Sequence, residues 1–504
     1  MRRFLLIGVT VVAIVATLAA GGMYWFLSGD GIRLALERQA TSWLGQPVTI
    51  GSAAARLFPR PGITLRDVRA GDPVRVTLAD IELSSALRPL LSRRLEDAEV
   101  IVSNSRIEMP LPFTLPAPGS ATTAPTAGDA DIQIGIQVIS VRAITLRNIT
   151  IASRGRHITI SADSSLSSAH LNLDRFIAES GATSLDASGL VQLTPRFDAQ
   201  LQVKANRVDV DDLLALADAF TPQTPRRSGT TIAFPGRLVA RISAERARAI
   251  GVDGRQFATT LVAQGNRITL SPATFQLFGG RYQGALDVDV GETLRATVRA
   301  QISDIDVAQL AAFGGVPDTI SGRLSGTGTF SGRGATIGDA VAASAGEGNV
   351  TITRGAVKRL GLVRTVVLFF GRPEPGAGTS TDNFDRIDAS FALARQVITA
   401  SALSLHSPDL DLVAQGTLTI PNKALDGHAD LSLSEALSAQ AGTDLIRFTR
   451  DGNRVLLPAT IGGTLDAPRV SIDAAAAVRR GLRNEVQRRL KDILGGALPQ
   501  QPPD

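Results

Sequence analysis

The sequence predicts a mainly β protein with an elongated antiparallel sheet, a membrane-spanning helix at its N-terminus and an amphipathic helix at its C-terminus. Three observations support this prediction. An uncharged apolar segment follows Arg2 and Arg3, apolar and polar residues alternate through most of the chain, and a basic helical repeat lies near the C-terminus. Continuous apolar strands alternating with long helices are absent, which argues against a doubly wound α/β fold.

The N-terminal apolar segment runs from Phe4 to Leu27. A helix over this segment, rising about 1.5 Å per residue, would be about 36 Å long and would cross a hydrocarbon core of about 30 Å. Arg2 and Arg3 place the N-terminus in the cytoplasm and the body on the far side of the membrane. A cleaved signal peptide is the alternative, since small residues occur at 17–21, but the apolar run exceeds the usual signal core of about 7–15 residues.

Alternation with period 2 predicts strands that have one apolar and one polar face. Degenerate repeats of such strands suggest an array extended by stacking rather than one closed barrel. The apolar positions either form an open strip or pack a core beneath helices, and periodicity alone leaves both interpretations open. Representative residues of this apolar face are Ile144, Leu146, Ile268, Leu270, Val350, Ile352, Leu431 and Leu433.

Composition shifts divide the chain. Short helices are predicted at 211–218 and 307–313, and a longer amphipathic helix at 355–370, before a loop that is rich in Gly and Pro. The predicted segments are 1–30 (cytoplasmic start and anchor), 31–110 (first β segment, beginning with a short helix), 111–130 (Pro/Ala/Thr linker), 131–345 (β-repeat body), 346–473 (second β region) and 474–504 (basic amphipathic helix and tail).

The C-terminal helix is predicted from Ala474 to Leu494, where an apolar residue recurs every four positions. Its basic residues outnumber its acidic ones, so it suits an anionic membrane surface or a partner protein. The alternative is a capping helix that covers the end of the sheet, and the two roles are compatible. The candidate docking residues are Arg479, Arg480, Arg483, Arg488, Arg489 and Lys491.

Composition also limits the classes of function. The chain has no cysteine, so disulfides and thiolate metal sites are excluded. A formal net charge of +5 over 504 residues is too diffuse to indicate nucleic-acid binding. The four histidines are scattered and form no metal-binding spacing. We therefore predict a protein that is not an enzyme and has no catalytic residues, cofactor or metal site.

Several motifs, taken in order after the anchor, resemble the AsmA family of bacterial envelope proteins, which are relatives of TamB- and YhdP-type bridge-like lipid transporters. At the N-terminal end these are Gly-Gln-Pro-Val-Thr-Ile-Gly at 45–51 and Phe-Pro-Arg-Pro-Gly-Ile-Thr-Leu-Arg-Asp-Val at 58–68. At the C-terminal end they lie at 348–355, 385–391, 416–420 and 461–470. The two regions cover about half of the chain, and it is the order of the motifs rather than any single one that carries the resemblance.

The resemblance implies a curled, groove-like sheet with an aliphatic inner face, anchored in the bacterial inner membrane with its body in the periplasm. It further implies that the apolar face carries phospholipid acyl chains between the inner and outer membranes, in envelope biogenesis. A partner protein in the periplasm or outer membrane would complete the path. The alternative function is a non-enzymatic periplasmic scaffold or assembly factor for outer-membrane proteins.

Overall fold

The computed structural model of the chain describes residues 29–56, 60–85, 94–95, 97–111, 137–138, 141–167, 169–193, 196–213, 215, 234–249, 251–358, 362–369, 381–439, 449–451, 454–473, 475–476, 479 and 486. The predicted anchor, Phe4 to Leu27, lies outside the described residues, as do most of the 111–130 linker and of the 474–504 segment. Within the described ranges, no helix is both long and apolar enough to cross a membrane.

The prediction of a mainly β fold with an antiparallel sheet is confirmed. The chain divides into two units between Asn266 and Arg267. This division falls inside the predicted 131–345 body, and the predicted segment boundaries remain predictions.

The first described element of unit 1 is helix α1 (Gly29–Leu44), and strands make up most of the other described residues of this unit. Its strands are β1 (Val48–Arg56), β2 (Gly62–Ala70), β3 (Val76–Ser84), β4 (Arg94–Leu95), β5 (Ala98–Ser103), β6 (Arg106–Met109), β7 (Gln137–Val138), β8 (Val141–Ser153), β9 (Arg156–Leu166), β10 (His170–Ser180), β11 (Thr183–Gln192), β12 (Phe197–Asp209), β13 (Phe234–Ala249) and β14 (Val252–Gly265).

The described residues of unit 2 form a series of strands and four short helices. Its elements in chain order are β15 (Arg267–Leu277), β16 (Gly280–Val290), β17 (Leu294–Asp306), α2 (Val307–Phe313), β18 (Ile320–Gly334), α3 (Ile337–Ala342), β19 (Ala345–Lys358), α4 (Leu362–Phe369), β20 (Thr381–Ala394), β21 (Val397–His406), β22 (Leu410–Thr419), β23 (Ala424–Leu433), α5 (Glu435–Ser438), β24 (Arg450–Asp451), β25 (Arg454–Thr464) and β26 (Ala467–Ile472).

The sheet of unit 1 is antiparallel except where long connections intervene. Both β5 and β6 pair with β8 in parallel, and β12 pairs with β13 in parallel. A parallel pair requires a crossover of a dozen or more residues. Residues 110–140 and 210–233 supply these crossovers, so strands on the two sides of the predicted linker are hydrogen-bonded to each other.

The main sheet of unit 2 is antiparallel from β15 to β23, and β25 then pairs with both β23 and β26. Short turns join β15 to β17 and β20 to β23 as consecutive hairpins, whereas the connections that contain α2, α3 and α4 join β17 to β20. The predicted helix at 307–313 is confirmed as α2, which Asp306 caps by accepting hydrogen bonds from two backbone N–H groups.

The predicted helix at 355–370 is wrong in its first part. Residues 355–358 continue β19, and α4 begins only at Leu362. Gly355 is paired with Phe384 of β20, so the ladder of backbone hydrogen bonds overrides the helical pattern of the side chains here.

Each unit has a closed hydrophobic core at which a helix covers the apolar face of the sheet. In unit 1, Leu36, Ala40 and Leu44 of α1 are buried against the first strands. These residues are spaced four apart and therefore share one face of the helix. In unit 2, Leu362 and Val366 of α4 are buried in the corresponding way.

Candidate functional site: the apolar face of unit 2

Strand register in unit 2 arranges apolar residues in rows that run across the sheet. Residues directly opposite one another on paired strands lie on the same face. Leu286 of β16 is opposite both Leu270 of β15 and Val298 of β17, and the pattern continues to β23. We call this set the long row; it consists of Leu270, Leu286, Val298, Phe330, Gly346, Leu393, Ile398, Leu418 and Leu425.

A second row on the same face consists of residues from two buried clusters, one of which is the core covered by α4. Leu412 and Leu418 of β22 are an even number of residues apart and so point to the same side of the sheet. We call this set the core row; it consists of Ile305, Leu324, Ile352, Ile387, Leu405, Leu412, Leu431 and Leu457.

The two rows differ in exposure. Every member of the core row is buried except Ile352, which is half-buried, whereas every member of the long row is half-buried. Leu431 and Leu457 have no exposed surface at all. The side chains of the long row shield one another across the strands, but solvent still reaches them. The long row is therefore the open part of the apolar face.

Helix α4 closes the part of the core row that extends from Ile387 to Leu457. Leu362 and Val366 pack in one cluster with Phe384, Leu405 and Leu431. The carboxylate of Asp382 accepts hydrogen bonds from the backbone N–H groups of Leu362 at 2.8 Å and Val363 at 3.3 Å. These bonds satisfy donors at the start of the helix, which would otherwise have no partner. The helix thus holds its apolar side over one part of the sheet.

Glycines with aromatic rings lying over them border the long row. A Cβ atom added to Gly328 would lie 2.7 Å from the ring of Phe330, and one added to Gly348 would lie 2.8 Å from the ring of Phe391. Gly328 and Gly348 are directly opposite each other on β18 and β19. The rings occupy the space that side chains at the glycines would fill, so the floor of the apolar face here is backbone.

Tyr282 lies on the same face beside Gly284. Its ring stacks on that of Phe275, with centroids 4.4 Å apart. Burial raises the pKa of the Tyr282 hydroxyl above its ordinary value. Its phenol therefore stays neutral at neutral pH and is compatible with an apolar ligand.

The structure distributes the sequence-predicted apolar residues between open and closed regions. In unit 2, Ile268, Leu270 and Val350 are half-buried, and Leu270 belongs to the long row. Ile352 packs against the closed core, while Leu431 and Leu433 are fully buried in it. In unit 1, Ile144 is buried in the core beneath α1, and Leu146 packs against that core. Only part of the predicted set is therefore accessible to a ligand.

Sequence reasoning did not single out most of the long row. Five residues of the long row lie in alternating segments but are not among the apolar-face residues predicted from the sequence: Leu286, Val298, Leu393, Ile398 and Leu418. Alternation marks the apolar side of a strand, but it does not tell which residues of different strands are opposite one another. The row becomes visible only through the register.

Unit 1 also has a half-buried apolar face, on strands β10 to β14. Leu173, Leu201 and Leu261 are half-buried, while the smaller Ala240 between them is buried. Thr259 lies opposite Ile242 in the neighbouring row and is 6% exposed. Its Oγ1 atom has no hydrogen-bond partner among the residues that the structure describes. A buried hydroxyl without a partner is unusual in a protein interior.

The opposite face of unit 2 is polar and curves around a cavity of about 810 Å³ that is lined by strands β15 to β21. Its lining includes one row of directly opposed polar residues, Gln283, Gln301, Thr327, Asn349 and Ser390. Ser390 Oγ donates a hydrogen bond of 2.7 Å to Asn349 Oδ1. The long row does not line this cavity, so the two faces offer chemically different surfaces.

A metal site in the described part of the chain would need a pattern of ligating side chains. There, no group of three His, Asp or Glu side chains converges in the way that metal ligands would. In the predicted terminal helix, Arg479 is helical and exposed, and Val486 is 57% exposed. The remaining candidate docking residues, Arg480, Arg483, Arg488, Arg489 and Lys491, lie outside the described residues.

No protein-family model, curated protein or solved structure matches the chain. The resemblance to the AsmA family therefore stays a prediction from the sequence motifs, and an assignment of function depends on the residues and geometry of this chain.

Proposed function

We propose that this protein is an inner-membrane-anchored periplasmic protein of AsmA type, which binds phospholipid acyl chains on the open part of its apolar face. By doing so it helps to carry lipid between the inner and outer membranes. The observation that carries the proposal is the long row, an apolar band that crosses the sheet from β15 to β23 and is half-buried along its whole length.

The dimensions of the long row suit an acyl chain. Neighbouring strands are about 4.8 Å apart, so a row from β15 to β23 extends for about 38 Å. One leaflet of a bilayer has a hydrocarbon thickness of about 15 Å, half of a core of about 30 Å. The row is therefore longer than one lipid tail, and a tail has room to shift along it.

The energetics also favour such a ligand. Each methylene buried against an apolar surface contributes about 0.8 kcal/mol, so ten methylenes contribute about 8 kcal/mol before the loss of chain entropy. In the free protein the long row is only half-buried, so a ligand that covered its exposed surface would add hydrophobic stabilisation. An open apolar surface of this length ordinarily marks a site of interaction with a lipid or a protein.

A periplasmic scaffold for outer-membrane proteins is the second candidate. It is favoured by the closed cores, in which Leu431 and Leu433 pack as in any sheet covered by a helix, and by the polar cavity on the other face. A scaffold would use the polar face or the basic terminal helix and would need no lipid on the long row.

Lipid analysis of variants separates the two candidates. The full chain is purified in mild detergent, and its extracted phospholipid is measured by mass spectrometry per mole of protein. Val298→Asp places a charge on the long row, and Thr329→Asp places the same charge opposite Arg299 on the polar face. We expect bound phospholipid in the wild type and in Thr329→Asp, and its loss in Val298→Asp with the far-ultraviolet circular dichroism spectrum unchanged.

Two results would contradict the proposal that the long row binds phospholipid. One is a wild-type chain that carries no phospholipid, and the other is equal phospholipid in Val298→Asp and Thr329→Asp. Leu431→Asp serves as a folding control, because a charge in the closed core should unfold that part of the protein rather than only remove lipid.

A further inference from the structure

Unit 1 contains a cavity of about 550 Å³ between β6, the end of β8 and the start of β9. Its size falls in the range of small-molecule sites, about 300–1,000 Å³. The parallel pairing of β6 with β8 places Arg106 opposite Thr150, and the hairpin of β8 and β9 places Thr150 opposite Thr159. Strands that are distant in sequence are thereby brought to one polar concavity.

Positive charge dominates the lining of this cavity. Four guanidinium groups line it, together with one imidazole and one carboxylate; these are Arg75, Arg106, Arg154, Arg156, His157 and Glu108. Among the described residues that line the cavity, the others are uncharged. The cavity thus carries a clear excess of positive charge whether or not His157 is protonated.

The available carboxylates only partly compensate the arginines. Glu108 is shared, with one oxygen 3.2 Å from Arg106 Nε and the other 3.9 Å from Arg75 Nη1. Asp212, outside the lining, lies 3.3 Å from Arg156 Nη1. Two carboxylates therefore face the three guanidinium groups of Arg75, Arg106 and Arg156. The side chains of Arg106 and Arg156 remain 59% and 49% exposed, so both can turn toward a ligand.

The turn that joins β8 and β9 adds to this concentration of charge. Arg154 and Gly155 both have positive φ, 47° and 77°, as a two-residue hairpin turn of type I′ requires. Asn, Asp or Gly is preferred at the position of Arg154, because a larger side chain is disfavoured in the left-handed region. A costly arginine at the rim of a basic cavity is consistent with a role in binding.

We propose that this cavity binds the phosphate group of a phosphorylated ligand. The planar fork of a guanidinium matches two phosphate oxygens, and charge-assisted hydrogen bonds of this kind are about twice as strong as neutral ones. The hydroxyls of Thr150 and Thr159 supply further donors. A phosphate supplies negative charge to Arg75, Arg106 and Arg156, which Glu108 and Asp212 compensate only in part. The proposal does not depend on lipid binding by the long row of unit 2.

Inorganic phosphate is the first probe. The full chain is titrated calorimetrically with phosphate in phosphate-free buffer, with chloride at equal ionic strength as the reference. Arg106→Gln removes a guanidinium of the cavity, and Arg147→Gln removes an exposed one of β8 that does not line it. We expect saturable binding in the wild type and in Arg147→Gln, at least a tenfold weaker affinity in Arg106→Gln, and an intermediate loss in Arg106→Lys, which keeps the charge without the fork.

A second titration identifies the source of the phosphate. Vesicles of phosphatidylcholine with or without phosphatidylglycerol are added to the phosphate-bound protein. Displacement by the anionic vesicles alone assigns the site to a lipid headgroup, and retention assigns it to a soluble phosphorylated molecule; either result supports a phosphate site. The proposal is overturned if the wild type binds phosphate no better than chloride, or if Arg147→Gln weakens binding as much as Arg106→Gln.

Discussion

His406 and Asp411 are directly opposite each other on β21 and β22, and His406 Nδ1 lies 2.5 Å from Asp411 Oδ1. The other oxygen of Asp411 lies 2.6 Å from Arg454 Nη1, and Arg454 Nε donates to the carbonyl oxygen of Leu433. One carboxylate therefore connects β21 and β22 to β25, and through Arg454 to β23. This network lies next to the closed core, in which Leu433 is buried.

We predict that Asp411 makes the stability of unit 2 sensitive to acid. Burial raises the pKa of Asp411, but the hydrogen bonds from Arg454 and His406 outweigh it, so that the pKa lies below its ordinary value. A lowered pKa gives stability that is present above the unfolded-state value of about 3.9 and is lost as the pH falls through the folded-state value. Asp411→Asn should cost about 1 kcal/mol or less at neutral pH, given solvent screening.

Urea unfolding of the wild type and of Asp411→Asn, measured at a series of pH values, checks this prediction. The difference between the two proteins should shrink as the pH falls below about 3.9. Asp426→Asn, an exposed change on β23, is the matched control and should leave the pH dependence as in the wild type. An equal acid dependence in wild type and Asp411→Asn would contradict the assignment.

Identical substitutions in the two rows should have different costs. Leu431→Ala empties a fully buried position and should destabilise unit 2 by about 2–5 kcal/mol. Leu418→Ala removes a half-buried side chain of the long row and should cost less than half as much, because solvent already reaches it. Thermal unfolding in lipid-free detergent measures both. Equal destabilisation would mean that the long row is packed as tightly as the core.

The sequence predicted the strands well because alternation is a local property. The same alternation occurs at Ile268 and Leu270 and at Leu431 and Leu433, yet the first pair is half-buried and the second is fully buried. What separates them is α4, which covers the second pair. The packing of α4 on the sheet brings together residues that are distant in sequence, so the alternation within a strand does not predict it.

The register and the basic cavity could not be predicted for a similar reason. Arg75, Arg106 and Arg156 are far apart in sequence, and a parallel pairing after a long crossover brings the strands that carry Arg106 and Arg156 close to one another. A periodic pattern predicts which side of a strand is apolar, but pairing across a crossover depends on the whole unit. The prediction of helix at 355–358 fails likewise, since the pairing of Gly355 with Phe384 decides the conformation there.

Two buried threonines of unit 1 should respond to the same substitution with opposite sign. Thr183 Oγ1 accepts a hydrogen bond of 3.0 Å from the backbone N–H of Asp209, whereas Thr259 Oγ1 has no partner within the described part of unit 1. Thr183→Val leaves a donor without a partner and should cost about 1–2 kcal/mol, while Thr259→Val should be neutral or stabilise by about 1 kcal/mol. Chemical unfolding of the two variants tests this, and destabilisation by Thr259→Val would indicate a hydrogen-bonded hydroxyl.

The aromatic rings over the glycines should be energetically coupled to them. A Cβ atom at Gly328 meets the Phe330 ring at 2.7 Å, with the Glu347 carbonyl oxygen next at 3.2 Å. Gly328→Ala should therefore cost about 1–2 kcal/mol by displacing the ring. In a Phe330→Leu background the same change should cost at least about 0.5 kcal/mol less, which a double-mutant cycle measures.

Gly462→Ala is the control for the loss of a glycine from a strand, because a Cβ atom at Gly462 meets nothing within 4 Å. It should be neutral or slightly stabilising, since alanine loses less backbone entropy on folding. If Gly328→Ala is as harmless as Gly462→Ala, the ring of Phe330 does not rest on the backbone at Gly328. In that case the backbone beside the long row is not covered by the rings of Phe330 and Phe391, and a ligand would have more space there.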